Sequence, residues 1–231
     1  MPNLLKKKPF SPLHVSSPLH WKISLRPVSY ETALRFMEKR VEDIHKGEKP
    51  ECIWLLEHPS LYTSGTGSNV QEDLRYPTDA LPFSLHETGR GGRITYHGPG
   101  QRILYCMIDL KTLSPIPDLK EFVKTLETWI IEVLKEVNID AFRQEGLIGV
   151  WTKTPDQKIS KIAALGIRIR HWISFHGISL NIDPDLSHYD PIIPCGIHNF
   201  GITSLRELGF SGNLNDIDLL LKKKCPFKNR L

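Results

Sequence analysis

The chain has 231 residues, of which 40% are hydrophobic and 24% charged, and its 30 basic against 26 acidic side chains leave a net charge of +4. That length suits one domain with a sizeable core, and so small a charge excess makes no case for nucleic acid as a partner. No stretch approaches the roughly 18 apolar residues of a membrane span, and none has the apolar core of a secretory signal, so a membrane partner is not expected.

The first 27 residues carry Lys6, Lys7, Lys8, Lys22 and Arg26, with no acid before Glu31. This bias is transit-peptide-like, yet Pro9, Pro12 and Pro18 interrupt any amphipathic helix. The expectation is a short basic arm over 1–27 on a bacterial cytoplasmic enzyme, with a mitochondrial presequence as the alternative. One domain then runs from 28 to 225, followed by a frayed tail over 226–231.

Leu34, Met37, Val41 and Ile44 recur at helical spacing, which predicts a helix over about 30–46 that ends at Gly47. Cys52–Leu56 and Ile103–Ile108 read as buried strands. Between them lies Arg90-Gly91-Gly92-Arg93-Ile94-Thr95-Tyr96-His97-Gly98-Pro99-Gly100-Gln101, with four glycines among polar side chains. A loop of this kind also serves as a plain hairpin turn, but glycine lets backbone N–H groups approach a ligand while Arg, Tyr and His supply charge and hydrogen bonds. It is neither a P-loop nor a dinucleotide fingerprint.

The clearest helix spans about 118–137, with a wide stripe that includes Phe122, Leu126, Trp129, Ile130, Val133 and Leu134, opened by Asp118. Three strands follow, at Leu147–Trp151, Lys161–Arg170 and Trp172–Ile182. The last changes alternation phase across His176-Gly177, which suggests a bulge. Short helices are expected at Thr203–Leu208 and Asn215–Lys223. With no linker or repeat, the pattern predicts an α+β or α/β domain with a mixed sheet.

The cysteines Cys52, Cys106, Cys195 and Cys225 have no CxxC or Cys/His metal spacing, so reduced thiols and no metal are expected. Taken singly, Lys161 reads as a surface charge and Cys195 as a small hydrophobe. Yet Lys161 opens an unusually apolar segment, and Cys195 stands between Pro194 and Gly196, where the chain is rigid on one side and can approach a ligand on the other. Arg168, Arg170 and His171, with Lys222–Lys224, are either a basic face for an acidic partner or solubilising charges.

At these residues the chain resembles the lipoyl(octanoyl) transferases of lipoate biosynthesis. The shared blocks are Leu56-Glu57-His58-Pro59 with Tyr62-Thr63 and Gly65, the Arg90–Gln101 loop, Gly149-Val150-Trp151, Lys161–Gly166, Phe175-His176-Gly177 and Ile193–Gly196, all in the family's order over about residues 28–210. The resemblance implies the fold shared by biotin and lipoate ligases and class II aminoacyl-tRNA synthetases. It also implies octanoyl transfer from octanoyl-acyl carrier protein to a lysine of a lipoyl domain, with no cofactor. Acceptors would be the lipoyl domains of 2-oxoacid dehydrogenase complexes and the glycine cleavage H protein.

By the same resemblance, Cys195 carries the acyl thioester and Lys161 lowers its pKa and moves its proton. Arg90, Gly91, Gly92, Arg93, Ile94, Thr95, Tyr96, His97, Ala164, Leu165, Gly166, Gly177, Ile178 and Ser179 bind the acyl substrate. Ile94, Leu165 and Ile178 are candidates for the pocket wall, as is Tyr96, while His97 and His176 are either supporting donors or satisfied structural histidines. An ATP-dependent lipoate or biotin ligase would activate a free carboxylate instead and need no cysteine. A non-catalytic acyl-carrier-binding protein would give Lys161 and Cys195 no joint task.

Overall fold

The computed structural model describes residues 19–196 and 200–227, with the Cys195 side chain outside that description. The elements are β1 (His20–Ile23), α1 (Tyr30–His45), β2 (Cys52–Leu56), β3 (Leu61–Ser64), α2 (Val70–Asp73), β4 (Leu85–Glu87), β5 (Thr95–His97) and β6 (Gln101–Met107). After these come α3 (Leu119–Glu136), β7 (Ala141–Gln144), β8 (Leu147–Lys153), β9 (Ile159–Arg170), β10 (Ile173–Asn181), β11 (Gly201–Ile202) and α4 (Leu214–Lys224).

The large sheet runs β1-β2-β6-β10-β9-β8-β7, with β11 also on β9, and a small sheet runs β4-β3-β5. Period-two alternation decides how the large sheet is covered. Ile53, Leu55, Leu104 and Cys106 face a core built on α3 and α4, while Cys52, Trp54, Leu56, Ile103, Tyr105 and Met107 face α1 through Ala33, Met37, Val41 and Ile44. Local signals place the helices. The Ser29 hydroxyl caps α1, the Asp118 carboxylate accepts from Lys120 and Glu121 N–H to cap α3, and Asn213 and Asp216 form a capping box on α4. Gly47, at φ 72°, follows the end of α1 as the sequence predicts.

Four expectations change. The phase slip at His176-Gly177 is not an inserted residue: β10 keeps one register against β9 from Ile173 to Leu180. Instead His176 is left-handed (φ 60°), and its N–H leaves the ladder to face the Met37 sulfur at 3.3 Å. The bulge lies elsewhere, between Val150 and Trp151 of β8, where β9 places one extra residue, Ile162. Residues 203–208 form turns rather than a helix.

Residues 1–18 of the expected arm, and 228–231 of the expected tail, lie outside the described residues. Within the arm, His20–Ile23 form β1, parallel to β2. Within the tail, Phe227 is 2% exposed and packs 6.0 Å from the Trp129 ring and 5.9 Å from Phe122. Burial of an aromatic ring against α3 outweighs the fraying expected after Pro226. Phe227→Ala should therefore cost about 3–5 kcal/mol in urea unfolding, whereas a frayed tail would show no change.

Candidate active site

The sheet opens into a cleft on its α1 face because side chains are missing there. Gly177 pairs with Gly166 and Ser179 with Ala164 across β10 and β9, so two adjacent cross-strand pairs carry almost no side chain. A Cβ on Gly177 would lie 1.8 Å from the Leu104 carbonyl oxygen, and one on Gly166 would lie 2.8 Å from Arg90 Cδ. The resulting space is narrow, about 50 Å³.

Of the residues expected to bind substrate, Arg90, Gly92, Arg93, Thr95 and His97 line this cleft from the loop, and Ala164, Leu165, Gly166, Gly177, Ile178 and Ser179 line it from the sheet. Gly91, Ile94 and Tyr96 are not among its lining residues. Ile94 and Tyr96 join Tyr62, Tyr189 and Ile192 in a separate buried cluster, where the Tyr96 hydroxyl lies 3.0 Å from Ser60 Oγ and 2.9 Å from His188 Nδ1. Gly91 donates its N–H to the Ile167 carbonyl at 3.0 Å, tying the loop to β9. Tyr30, Thr63, Ile103, Tyr105 and His176 also line the cleft. Of these, His176 is flagged by the sequence and Thr63 belongs to a family block, whereas Ile103 and Tyr105 read simply as strand core.

The loop's charge is turned inward. Arg90 donates from Nη2 to Thr63 Oγ1 at 2.7 Å and to the Thr63 carbonyl at 2.8 Å, and also to the Arg93 carbonyl at 3.0 Å. The Thr63 hydroxyl lies 3.1 Å from His97 Nε2, and His97 Nδ1 lies 2.7 Å from Gln101 Oε1, an acceptor because Gln101 Nε2 donates to Asn181 Oδ1 at 2.9 Å. His97 therefore carries its proton on Nδ1 and accepts from Thr63 at Nε2. His58 has the same tautomer: Nδ1–H donates to the Val28 carbonyl and Nε2 accepts from the Tyr105 hydroxyl at 2.7 Å.

Lys161 sits at the other end of the site, 4% exposed. The extra residue in β9 and Gly149 (φ 133°) make room for it, since a Cβ on Gly149 would lie 3.0 Å from Lys161 Cε. Its Nζ donates to the Ile148 carbonyl at 3.1 Å and stands 4.7 Å from the Trp151 ring centre. Lys161 and Pro194 line one small cavity, and Thr95 and Ala164 line both that cavity and the cleft. Cys195 follows Pro194 in a 3-10 turn, Pro194–Gly196.

That turn is held from one side by α2. Ile193 N–H donates to the Asp73 carbonyl at 2.7 Å, and Arg93 pairs with the buried Asp73 carboxylate at 2.6 Å. Gly196 is left-handed (φ 67°), and a Cβ there would meet the Arg93 guanidinium at 2.5 Å. Lys161 thus brings positive charge to the cavity, while the Arg93 charge beside the Cys195 turn is paired with Asp73 and Glu72. The other cysteines sit in the opposite setting. Cys52, Cys106 and Cys225 are buried, and burial pushes the Cys52 thiol up to about 11 and the Cys106 thiol well above its ordinary value. Among the described residues no cluster of His, Cys, Asp or Glu is placed to hold a metal ion. None of the described helices is long and apolar enough to cross a membrane.

Over residues 29–224 the chain matches the lipoyl protein ligase A/B catalytic domain, and it belongs to that family. It is 51% identical over 214 residues to an octanoyltransferase of Bartonella bacilliformis, covering 89% of this chain and 86% of that one. This likeness makes it an enzyme of acyl transfer.

Among solved structures it shares the fold of a bipartite lipoate protein ligase from Thermoplasma acidophilum, with TM-score 0.68 and 14% identity over 89% of this chain and 82% of that one. It also shares the fold of a biotin protein ligase from Aquifex aeolicus, with TM-score 0.54 and 16% identity over 90% and 68%.

Burial lowers the pKa of His58 to about 4 and of His97 and His176 to about 3. The unfolded chain protonates these rings near pH 6.5, so between that pH and their folded values it binds more protons than the folded chain. Stability therefore rises with pH across this window and falls on acidification. His58→Gln, which keeps a donor and an acceptor but cannot titrate, should flatten the loss of Tm between about pH 6.5 and pH 4.5. An unchanged slope would mean that His58 is protonated in the folded protein.

Proposed function

We propose that the protein takes an octanoyl group from octanoyl-acyl carrier protein and places it on a specific lysine of a lipoyl domain, through a thioester on Cys195. The observation that carries this reading is the continuity of the site: Thr95 and Ala164 join the cleft to the small cavity lined by Lys161 and Pro194, one residue before Cys195. The cleft is the place for the acyl chain and the small cavity the place for the reacting carbonyl.

The chemistry balances without nucleotide or metal. The Cys195 thiolate adds to the donor thioester carbonyl, the carrier's thiolate leaves and takes up a proton, and octanoyl-Cys195 remains. The neutral amine of the acceptor lysine then attacks this second thioester, forming an amide and returning the thiol. Lys161 takes the Cys195 proton and, as the resulting ammonium, pairs with the thiolate before passing that proton to the leaving carrier thiolate; in the second step it relays the proton of the acceptor amine to the Cys195 sulfur. Backbone N–H groups near Gly196 and in the 90–97 loop are the donors for the tetrahedral oxyanion. The acceptors are the lipoyl domains of 2-oxoacid dehydrogenases and the glycine cleavage H protein, and the reaction belongs in the cytoplasm.

In an assay with octanoyl-carrier protein and apo-lipoyl domain, freed of ATP, transfer should proceed and intact mass should show one octanoyl adduct before acceptor is added. Cys195→Ala should abolish both adduct and transfer, and Lys161→Met should slow transfer by about 10²-fold and raise the pH at which Cys195 is alkylated. Lys158, exposed beside Asp156, is the control. Strict dependence on ATP, with free octanoate serving equally well, would instead identify a ligase.

A further inference from the structure

Glu127 is a buried carboxylate on α3, 4% exposed, and α3 lies outside the cleft. One oxygen, Oε2, faces Arg143 Nε at 3.3 Å, and the other, Oε1, accepts the N–H of Gly149 at 2.9 Å. That N–H belongs to the same peptide group as the Ile148 carbonyl, which accepts Lys161 Nζ at 3.1 Å. Glu127 and Lys161 are thus joined through a single rigid amide, with the carboxylate at its N–H end and the ammonium at its oxygen.

A peptide plane has no internal freedom, so fixing its N–H fixes the direction of its carbonyl. Gly149 makes this control necessary. At φ 133° it lies just before Val150–Ala163, the last pair of β8 with β9, and opposite the register shift between Phe142 and Gln144 of β7, so the ladder that would hold an ordinary strand peptide is broken at this point. A negative charge hydrogen-bonded to the N–H also polarises the amide and makes its oxygen a stronger acceptor. Arg143 holds the carboxylate on its other side.

We propose that Glu127 is a positioning residue for the reaction, aiming the Lys161 ammonium by way of the Ile148–Gly149 peptide without touching substrate. This rests on the reading of Lys161 as the partner of Cys195. A carboxylate that merely ties α3 to β8 would affect folding alone, so the test must read the chemistry.

The full chain carrying Glu127→Ala, Glu127→Asp or Glu127→Gln is assayed for octanoyl transfer and for the pH profile of Cys195 alkylation by iodoacetamide, with thermal melting in parallel. Ala lacks the acceptor, Asp keeps the charge but falls short of the Gly149 N–H, and Gln keeps an acceptor of the right length. The expected result is a loss of about 10-fold or more in kcat for Ala and Asp, with KM for donor and acceptor within about two-fold, and recovery to within about three-fold for Gln. The alkylation profile should shift to higher pH in Ala and Asp. If Ala does not fold, Asp and Gln carry the comparison.

In a Lys161→Met background, Glu127→Asp should cost nothing further. A lowered melting point with unchanged kcat and alkylation profile would overturn the proposal, as would an undiminished Glu127 effect when Lys161 is absent. Should Lys161→Met itself retain full turnover, the reading of Lys161 fails and this inference fails with it. Loss in Lys161→Met with no loss in any Glu127 variant defeats the inference alone.

Discussion

A sheet covered on both faces has no room for a ligand except where its own side chains are absent. Here that room is made by four alternate positions in two strands, Ala164 and Gly166 on β9 and Gly177 and Ser179 on β10, placed side by side by strand pairing. Everything else about the site follows from keeping that gap open. The carbonyl of Leu104 approaches Gly177 too closely for any Cβ, so the floor is fixed by backbone packing rather than by one replaceable side chain. The 90–97 loop roofs the gap, and β9 carries Lys161 to the small cavity beside it.

The loop's two arginines act mainly within the protein. Arg90 binds Thr63 and the carbonyls of its own loop, so a segment rich in glycine acquires a single shape. Arg93 binds Asp73 and lies against Gly196, which couples the loop to the turn of Cys195. A charge-rich loop beside a cavity suggests contact with a ligand, yet the stronger demand on these guanidinium groups is the row of unpaired carbonyls in a chain with little regular structure.

What could be read from the sequence was local. The stripe and Asp118 cap of α3, the apolar run of β2 and the glycine after α1 are each determined within a few residues, and the structure agrees with them. The Lys161 and Cys195 blocks were legible through resemblance, since what brings their surroundings together is the long-range pairing of β11 with β9 and the bond from Ile193 to Asp73. Tyr30 lines the cleft from the first turn of a helix, where periodicity marks it simply as core. Phe227 escaped because burial of one ring leaves no pattern in a short tail.

The junction between the two cavities has a consequence for which acyl chains can be handled. Thr95 and Ala164 border both spaces, so a chain whose carbonyl lies beside Lys161 must pass between them to reach the cleft. On the acyl-transfer reading this is a waist set by a strand residue on each side, and neither strand can withdraw without breaking its sheet. A methyl branch beside the carbonyl would sit against Thr95 or Ala164, so the same two residues that connect the chemistry to its binding site would also favour straight chains over chains branched at the second carbon.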